Sequence, residues 1–411
     1  MVSIAGTSVW GRPRGAPRRA VPEWRHPVGY FRVMSEPRYP SAREVAPKIR
    51  AHFERFLPTA HAPSHPAMLA APAVRDIEAV VDAAFWASLR REENYLPRIS
   101  LALLPPTAAE QPMCFDAPLP LTPVSLVKVA PAVERRGIHL GVWREDGLLR
   151  VWGTARAIPS YCMVLEVAAP GLLVIKHHRG DIGKYVNVAV LEAERIKMID
   201  DRARALPDCP VLVSSLLGFD SPNNWNTHLT VMVELAVSMR AHGRGGMMLM
   251  VPSGSDSWRD SIVQPMTYGV SPAFTGLADL VDRAPNERSD RAWQDEMADT
   301  VRAVAGLTAV DGAAIITDRY ELLVFGAKIA RRDGSPLVEQ TSVTEPIEDG
   351  EADIVHPSRL GGTRHLSAAQ FVHDQHDAVA MVASQDGRFT IFAWSPCEGM
   401  VHAHRVETLL L

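Results

Sequence analysis

The chain has 411 residues, 47% of them hydrophobic and 22% charged, with a formal net charge of −4. That length favours two or three domains, and the composition excludes a disordered or fibrous chain. The slight acidity leaves no basic footprint for duplex nucleic acid, so no nucleic-acid partner is expected.

Residues 1–33 are rich in Arg and Pro and hold no sustained period. They read as a flexible extension rather than an RNA-binding arm, because no aromatic platform or fold accompanies the arginines. Met34 opens a more regular sequence and is a candidate natural start. Val45, Ile49, Phe53 and Phe56 share one helical face over 42–57, as do Val74, Ile77, Val81, Phe85 and Leu89 over 73–90. The Pro-rich stretch 104–123 reads as a surface connection. Over 138–200, the runs GIHLGVW, LLRVWGTA, CMVLEV, GLLVIKHH and VNVAVLEAERIKMID are separated by short turns and predict an antiparallel meander. Residues 34–206 therefore read as an N-terminal α+β domain without catalytic spacing.

A Pro-containing link at 207–224 precedes a second pattern. Thr227–His242 reads as a helix ended by Gly243-Arg244-Gly245-Gly246, and MMLMVP (247–252) as a buried strand. Residues 253–290 look loop-rich, and Trp293, Met297 and Val301 mark a helix over 293–304. AAII (313–316) and LLVFGAKI (322–329) are strands, followed by a charged, irregular insert over 330–360. Residues 366–375 read as a helix, then AVAMVA (378–383) and FTIFAW (389–394) as strands around a turn at Ser384–Gly387. The expectation for 226–405 is a mixed-sheet α/β domain around one central sheet.

Cys114, Cys162, Cys209 and Cys397 are far apart and form no CxxC pair. That favours a reducing compartment over a disulfide framework or zinc ribbon. No run reaches the ~18 apolar residues of a spanning helix, and the N-terminus lacks the apolar core of a signal peptide. The expectation is a cytoplasmic protein with no membrane partner.

Two short motifs carry chemistry. Asp311-Gly312-Ala313 stands at the mouth of a strand, and Gly361-Gly362-Thr363-Arg364-His365 directly before a helix. Glycines let the backbone approach an anion, and the orphan N–H groups of a helix start point at it. Thr363 offers a hydroxyl donor and Arg364 a bidentate fork. His365 adds a third donor or a metal ligand, and Asp311 a carboxylate for a Mg²⁺-nucleotide site. Either motif alone is common: DGA is usually a turn, and GTRH usually a helix start with surface side chains.

In this order the two motifs resemble the diadenylate cyclase family, whose marks are a DGA motif, a GTRHR motif and a later SEE-type turn between two strands. LAVSMRAHGRGGMMLMVP resembles that family's helix leading into a GALIV-type strand, and DAVAMVASQDGRFTIF resembles its DALVIVVSEETG hairpin. The region over 75–200 resembles the probable sensor domain called DACNV. The resemblance implies a sensor-linked nucleotidyltransferase that condenses two ATP molecules into cyclic di-adenosine monophosphate with release of pyrophosphate. It implies Mg²⁺ or Mn²⁺ at Asp311 and His365, with Asp311 activating the 3′-hydroxyl. Gly312, Ala313, Gly362, Thr363, Arg364, His365 and Ser384 would bind the nucleotide. Each chain would supply one site, so two protomers would meet face to face for turnover.

Three positions depart from the pattern: Leu366 replaces the second Arg of RHR, Val310 the His before DGA, and Ser384-Gln385-Asp386 the SEE turn. Loss of one charged phosphate contact costs roughly 1.5–3 kcal/mol. The departures keep open an alternative, a non-catalytic nucleotide-binding or cyclic-dinucleotide-sensing regulator on the same fold. His373, Asp374, His376 and Asp377 suggest a metal cluster but read better as a solvated helix end. His177-His178-Arg179 reads as a solvated strand edge, and His402 and His404 as alternating on a tail strand or coil without signal.

Overall fold

Alternation along the strands of the first half sorts side chains onto two faces of an eight-stranded sheet. A computed structural model describes residues 38–56, 70–92, 95–135, 137–179, 184–200, 227–283, 287, 291–348 and 350–411. The first 33 residues and the link at 207–224 lie outside the described residues.

The N-terminal sheet contains β1 (Ser100–Leu103), β2 (Met113–Pro120), β3 (His139–Glu145), β4 (Leu148–Ala155), β5 (Met163–Ala169), β6 (Leu172–Arg179), β7 (Lys184–Glu192) and β8 (Arg195–Met198), in the order β2-β4-β3-β1-β5-β6-β7-β8. Helices α1 (Pro40–Phe56), α2 (Val74–Ser88) and α3 (Pro123–Val129) cover one face, where Ile49, Phe53, Ile77, Val81, Leu101, Leu140, Leu165 and Ile175 form the core. The meander holds for β5 to β8, with each strand antiparallel to the next. Two features depart from it. β1 inserts between β3 and β5, parallel to β3, and Met113–Pro120 of the Pro-rich stretch is an edge strand. A sheet edge needs no ladder partner on its outer side, so it tolerates Pro118 and Pro120. On the sheet's second face, Ser100 Oγ bonds His139 Nδ1 at 2.7 Å, and His139 Nε2 bonds Tyr185 Oη at 2.7 Å. The Cys162 thiol, buried beside them, is pushed up to about 12 by desolvation and is chemically quiet.

The C-terminal sheet has nine strands: β9 (Gly246–Val251), β10 (Tyr268–Phe274), β11 (Ala313–Thr317), β12 (Leu322–Ala327), β13 (Thr341–Thr344), β14 (Asp353–Val355), β15 (Val379–Ala383), β16 (Phe389–Ser395) and β17 (Met400–Arg405). Their order is β10-β12-β11-β9-β15-β16-β17-β13-β14. Helices α4 (Thr227–Ala241), α5 (Gly276–Asp282) and α6 (Arg291–Leu307) lie on one face over Met248, Ile316, Met381 and Phe389. Helix α7 (Thr363–Asp374) lies on the other, where Phe371 meets Leu249, Ile315 and Phe392. This is the expected mixed-sheet α/β fold. The loop-rich reading of 253–290 missed β10 and α5, and the insert over 330–360 contributes β13 and β14. Of the two readings of the tail, strand and coil, the strand holds: His404 lies in β17, 2% exposed, with Nδ1 bonded to Thr344 Oγ1 at 2.7 Å.

Both sheets belong to one compact unit, Tyr39–Leu411. β8 runs into an isolated bridge between Ile199 and Ile347, flanked by Glu348 N–H donating to Met198 O at 2.9 Å. A largely buried Lys197–Glu345 ion pair lies beside it. No helix among the described residues is long and apolar enough to cross a membrane.

Three buried imidazoles make the fold acid-sensitive. Desolvation, the largest cause in each case, lowers His52, His139 and His404 from 6.5 to about 4. Unfolded, these rings take up protons below pH 6.5, whereas the folded chain refuses them until about pH 4. Their stabilising contribution is therefore full above pH 6.5 and lost progressively down to about pH 4, on the order of 3 kcal/mol per ring. Urea melts between pH 7.5 and 4.5 should show that decline, and a flat profile would contradict neutral burial of the rings.

Candidate functional site

Strand register, rather than proximity in sequence, gathers the candidate motifs. β9 and β11 are parallel, with Ala314 opposite Met248, so both strands start at the same end of the sheet. β15 is antiparallel to β9 and places Ala383 opposite Gly246. The loops carrying Gly245, Asp311 and Ser384 therefore lie on one sheet end, on three adjacent strands.

Asp311 stands at the mouth of β11 with its side chain 89% exposed, and it accepts a hydrogen bond from Lys328 Nζ. The Lys328 bond and charge hold its carboxyl below the usual range, with Arg364 adding to the effect. Gly312 has φ +126, and a Cβ there would lie 2.4 Å from the Gly326 carbonyl carbon. Only glycine allows β11 and β12 to meet this closely. Ala313 is fully buried in the core, backbone included, so as placed it presents no surface to a ligand.

Helix α7 starts at Thr363 behind Gly362, with no side-chain cap on its first turn. Gly361, Gly362 and Thr363 are exposed, which leaves the helix's orphan N–H groups available to an anion. Arg364 is half-buried and reaches across to β9: a Cβ on Gly245 would lie 3.0 Å from its Nη1 and 3.4 Å from the Gln385 side chain. Arg364 also acts electrostatically on both Asp311 and His242. His365 points differently. Its ring is 3% exposed, edge-on to Phe392 at 6.1 Å, and would be struck by any Cβ on Gly361. Its Nε2 is buried with no hydrogen-bond partner among the described residues, and burial lowers its pKa.

Ser384 is half-buried at the start of a turn in which its N–H donates to Arg388 O at 2.9 Å and its carbonyl accepts from Gly387 N–H at 3.2 Å. Gln385 donates from Nε2 to Arg244 O at 3.3 Å, and Asp386 pairs with Arg388. The α4–β9 loop is further pinned by His242, whose Nε2 bonds Thr308 Oγ1 at 3.1 Å.

Sequence reasoning missed three residues here. Lys328 follows β12 and reaches Asp311 only through the β11–β12 pairing. His242 ends α4, where it read as a helix terminus. Tyr268, 46% exposed in β10, stacks on Phe325 at 5.0 Å and lies against Gly326, whose Cβ position is 2.8 Å from its ring. No local motif marks it, and β10 was itself unrecognised.

At the other end of α7, Asp374 is not solvated as the sequence suggested. Its side chain is fully buried and accepts from Arg332 N–H at 2.8 Å, Gln370 Nε2 at 2.8 Å and the Ser335 hydroxyl. With its acceptors filled, Asp374 is a structural anchor. His376 stacks on Trp394 at 3.7 Å.

No group of three or more His, Cys, Asp and Glu among the described residues could hold a metal ion. Asp311 by itself fits a hard cation bound through one carboxylate and ligand phosphates, as Mg²⁺ commonly is. Buried His365 does not add to that set as placed.

Comparison with known families gives one match: residues 67–156, spanning α2 to β4, match the model described as Probable sensor domain DACNV. The match overlaps the region over 75–200 that resembles that domain, starting eight residues before it and ending at 156, and it stops before the C-terminal sheet. No curated protein matches the chain.

The glycine geometry is directly testable. Gly312→Ala meets both a left-handed φ and the Gly326 backbone, so it should cost about 2–4 kcal/mol. Gly362→Ala, at φ −76 with nothing within 4 Å of the new methyl, should cost under ~1 kcal/mol. Denaturant melts of the two variants should separate clearly, and equal losses would contradict this strand approach.

Proposed function

We propose that the C-terminal half binds ATP and condenses two molecules into cyclic di-adenosine monophosphate, in a chain that also carries a DACNV-type sensor segment. The observation that carries the reading is the meeting of the DGA strand mouth, the GTRH helix start and the SQD turn on one sheet end, with Arg364 in contact range of Gly245. Each part supplies what phosphoryl transfer needs, which is mainly positioning and charge neutralisation. The open first turn of α7, Thr363 and Arg364 would hold the triphosphate. The exposed Tyr268 ring offers a face for a purine. Gly245 leaves room for the Arg364 guanidinium at the site, and Gly312 for the close approach of β12 that brings Lys328 to Asp311.

In the reaction the 3′-hydroxyl oxygen of each ATP forms a bond to the α-phosphorus of the other, and at each phosphorus the bond to pyrophosphate breaks, so two pyrophosphates leave. Asp311 would receive the hydroxyl proton, with Lys328 steadying the carboxylate beforehand. Mg²⁺ or Mn²⁺, held by Asp311 and the phosphates, would neutralise charge on the phosphoryl oxygens. Because each chain carries one such site, the two ATP molecules would be presented by two protomers face to face.

A second reading, a regulator that binds nucleotide without turnover, has specific support. Lys328 occupies the Asp311 carboxylate, Leu366 stands 38% exposed where a second guanidinium would help, and Asp386 is engaged by Arg388.

Incubation with ATP and Mg²⁺ or Mn²⁺, with products separated by mass, tests both. Cyclic di-adenosine monophosphate that disappears in Asp311→Asn, with the fold retained, is the expected result. Bound ATP without product moves the protein to the regulator class, and no binding of ATP or cyclic dinucleotide defeats both readings. Leu366→Arg should tighten ATP binding about tenfold, equivalent to ~1.4 kcal/mol. Unchanged affinity by calorimetry would show that α7 does not face the phosphates.

A further inference from the structure

The turn at Ser384–Gly387 is held from behind by a residue outside the motifs. Arg240, half-buried in the last turn of α4, donates from Nε to Gly387 O at 2.9 Å and from Nη1 to Leu410 O at 3.0 Å. A guanidinium is a rigid planar fork, so these two bonds fix the spacing between the turn and the segment 407–411. That segment is anchored in turn. Val406 and Leu410 are buried in the same core as Met248 and Phe389, and Val406 N–H donates to Phe389 O at 2.9 Å. Its other attachment is to the N-terminal sheet: Asn187 of β7, 9% exposed, donates from Nδ2 to Thr408 O at 2.9 Å and to Leu411 O at 3.4 Å. Glu407, which pairs with Arg405 at 3.0 Å, also attracts Arg240 electrostatically.

We infer that Arg240 is a positioning residue for the nucleotide site, linking the Ser384 turn to a segment that the N-terminal sheet grips through Asn187. Arg240 acts through Gly387 and is given no contact with ligand. Rearrangement on the second face of the N-terminal sheet would shift Thr408 and Leu410 and, through the guanidinium, the Gly387 peptide, whose N–H closes the turn on Ser384 O. Gln385 of the same turn bonds Arg244 O in the α4–β9 loop, so the displacement would reach both walls of the site. This rests on the nucleotide reading proposed above.

The test uses the full chain, with Arg240→Lys, Asn187→Ala and the double variant. Lysine keeps the charge and loses the fork. ATP affinity should fall about five- to tenfold in Arg240→Lys and less, in the same direction, in Asn187→Ala, with melting temperatures close to the parent's. Because both act through one chain of bonds, the double variant should lose little more than Arg240→Lys alone. Parental affinity in Arg240→Lys, or effects that simply multiply, would overturn the inference. Should the parent protein bind neither ATP nor cyclic dinucleotide, the nucleotide reading fails separately. The link is then decided by hydrogen exchange, where Asn187→Ala should reduce amide protection at 384–388, and unchanged protection overturns it.

Discussion

The parallel pairing of β9 with β11 is the constraint on which the candidate site depends. Two strands that start together bring their preceding loops together, and here those loops are Gly243–Gly246 and Asp311-Gly312. The antiparallel return of β15 then delivers the Ser384 turn to the same edge. A one-residue slip between β9 and β11 would turn their core residues to the wrong faces, so the register is enforced by burial on both sides of the sheet. The candidate site thus rests on strands that are buried along nearly their whole length. Glycine is required where the backbones crowd: Gly246 against Thr308, whose Oγ1 lies 2.5 Å from where a Cβ would be, and Gly312 against Gly326.

Two carboxylates on opposite ends of this architecture show how environment separates function from support. Asp311 is in solvent with a lysine partner that is itself half exposed, a pairing that water screens and a ligand can displace. Asp374 is sealed under the 332–335 loop with several donors aimed at it, and removing it would strand those donors in the interior. The same residue type is therefore open to solvent and to exchange of partners near one end of α7 and a structural anchor at the other. The two histidines near the helix start divide similarly, His242 lining the loop and His365 packing beneath it.

Much of the C-terminal fold was legible because buried strands such as MMLMV, AAIIT and VAMVA are continuous apolar runs bounded by turns. The motifs also fall together at one end of the sheet, since Asp311, Arg364 and Ser384 occupy strand and helix boundaries that composition reveals. Side-chain direction was not legible. Thr363, Arg364 and His365 are consecutive, yet the helix sends one to solvent, one across to Gly245 and one into the core. Lys328 and Tyr268 were invisible because they join the site only through cross-strand pairing. The insertion of β1 beside β3 escaped for the same reason. A four-residue apolar run carries no signal for parallel pairing with a strand some forty residues later.

The two sheets are coupled more tightly than a flexible tether would require. β8 of the first sheet passes into a bridge at Ile347 next to β13, and the segment after β17 returns to bond β7. Contacts therefore run in both directions between the sheets, one set beside the outer strands and one behind the site. The DACNV-matched segment ends at residue 156 and holds β1, β3 and β4, whereas the contacts with the second sheet come from β7 and β8. Influence from that segment has a lateral route through β1, which pairs with β5, and on through β6 to β7, and direct routes through α2, which packs on β5 and β6, and through the His139–Tyr185 bond. A continuous hydrogen-bonded sheet with a close-packed helical face transmits such a displacement because its strands cannot yield independently. The polar Ser100–His139–Tyr185 chain crosses that same path, from β1 through β3 to β7, on the face that carries Asn187.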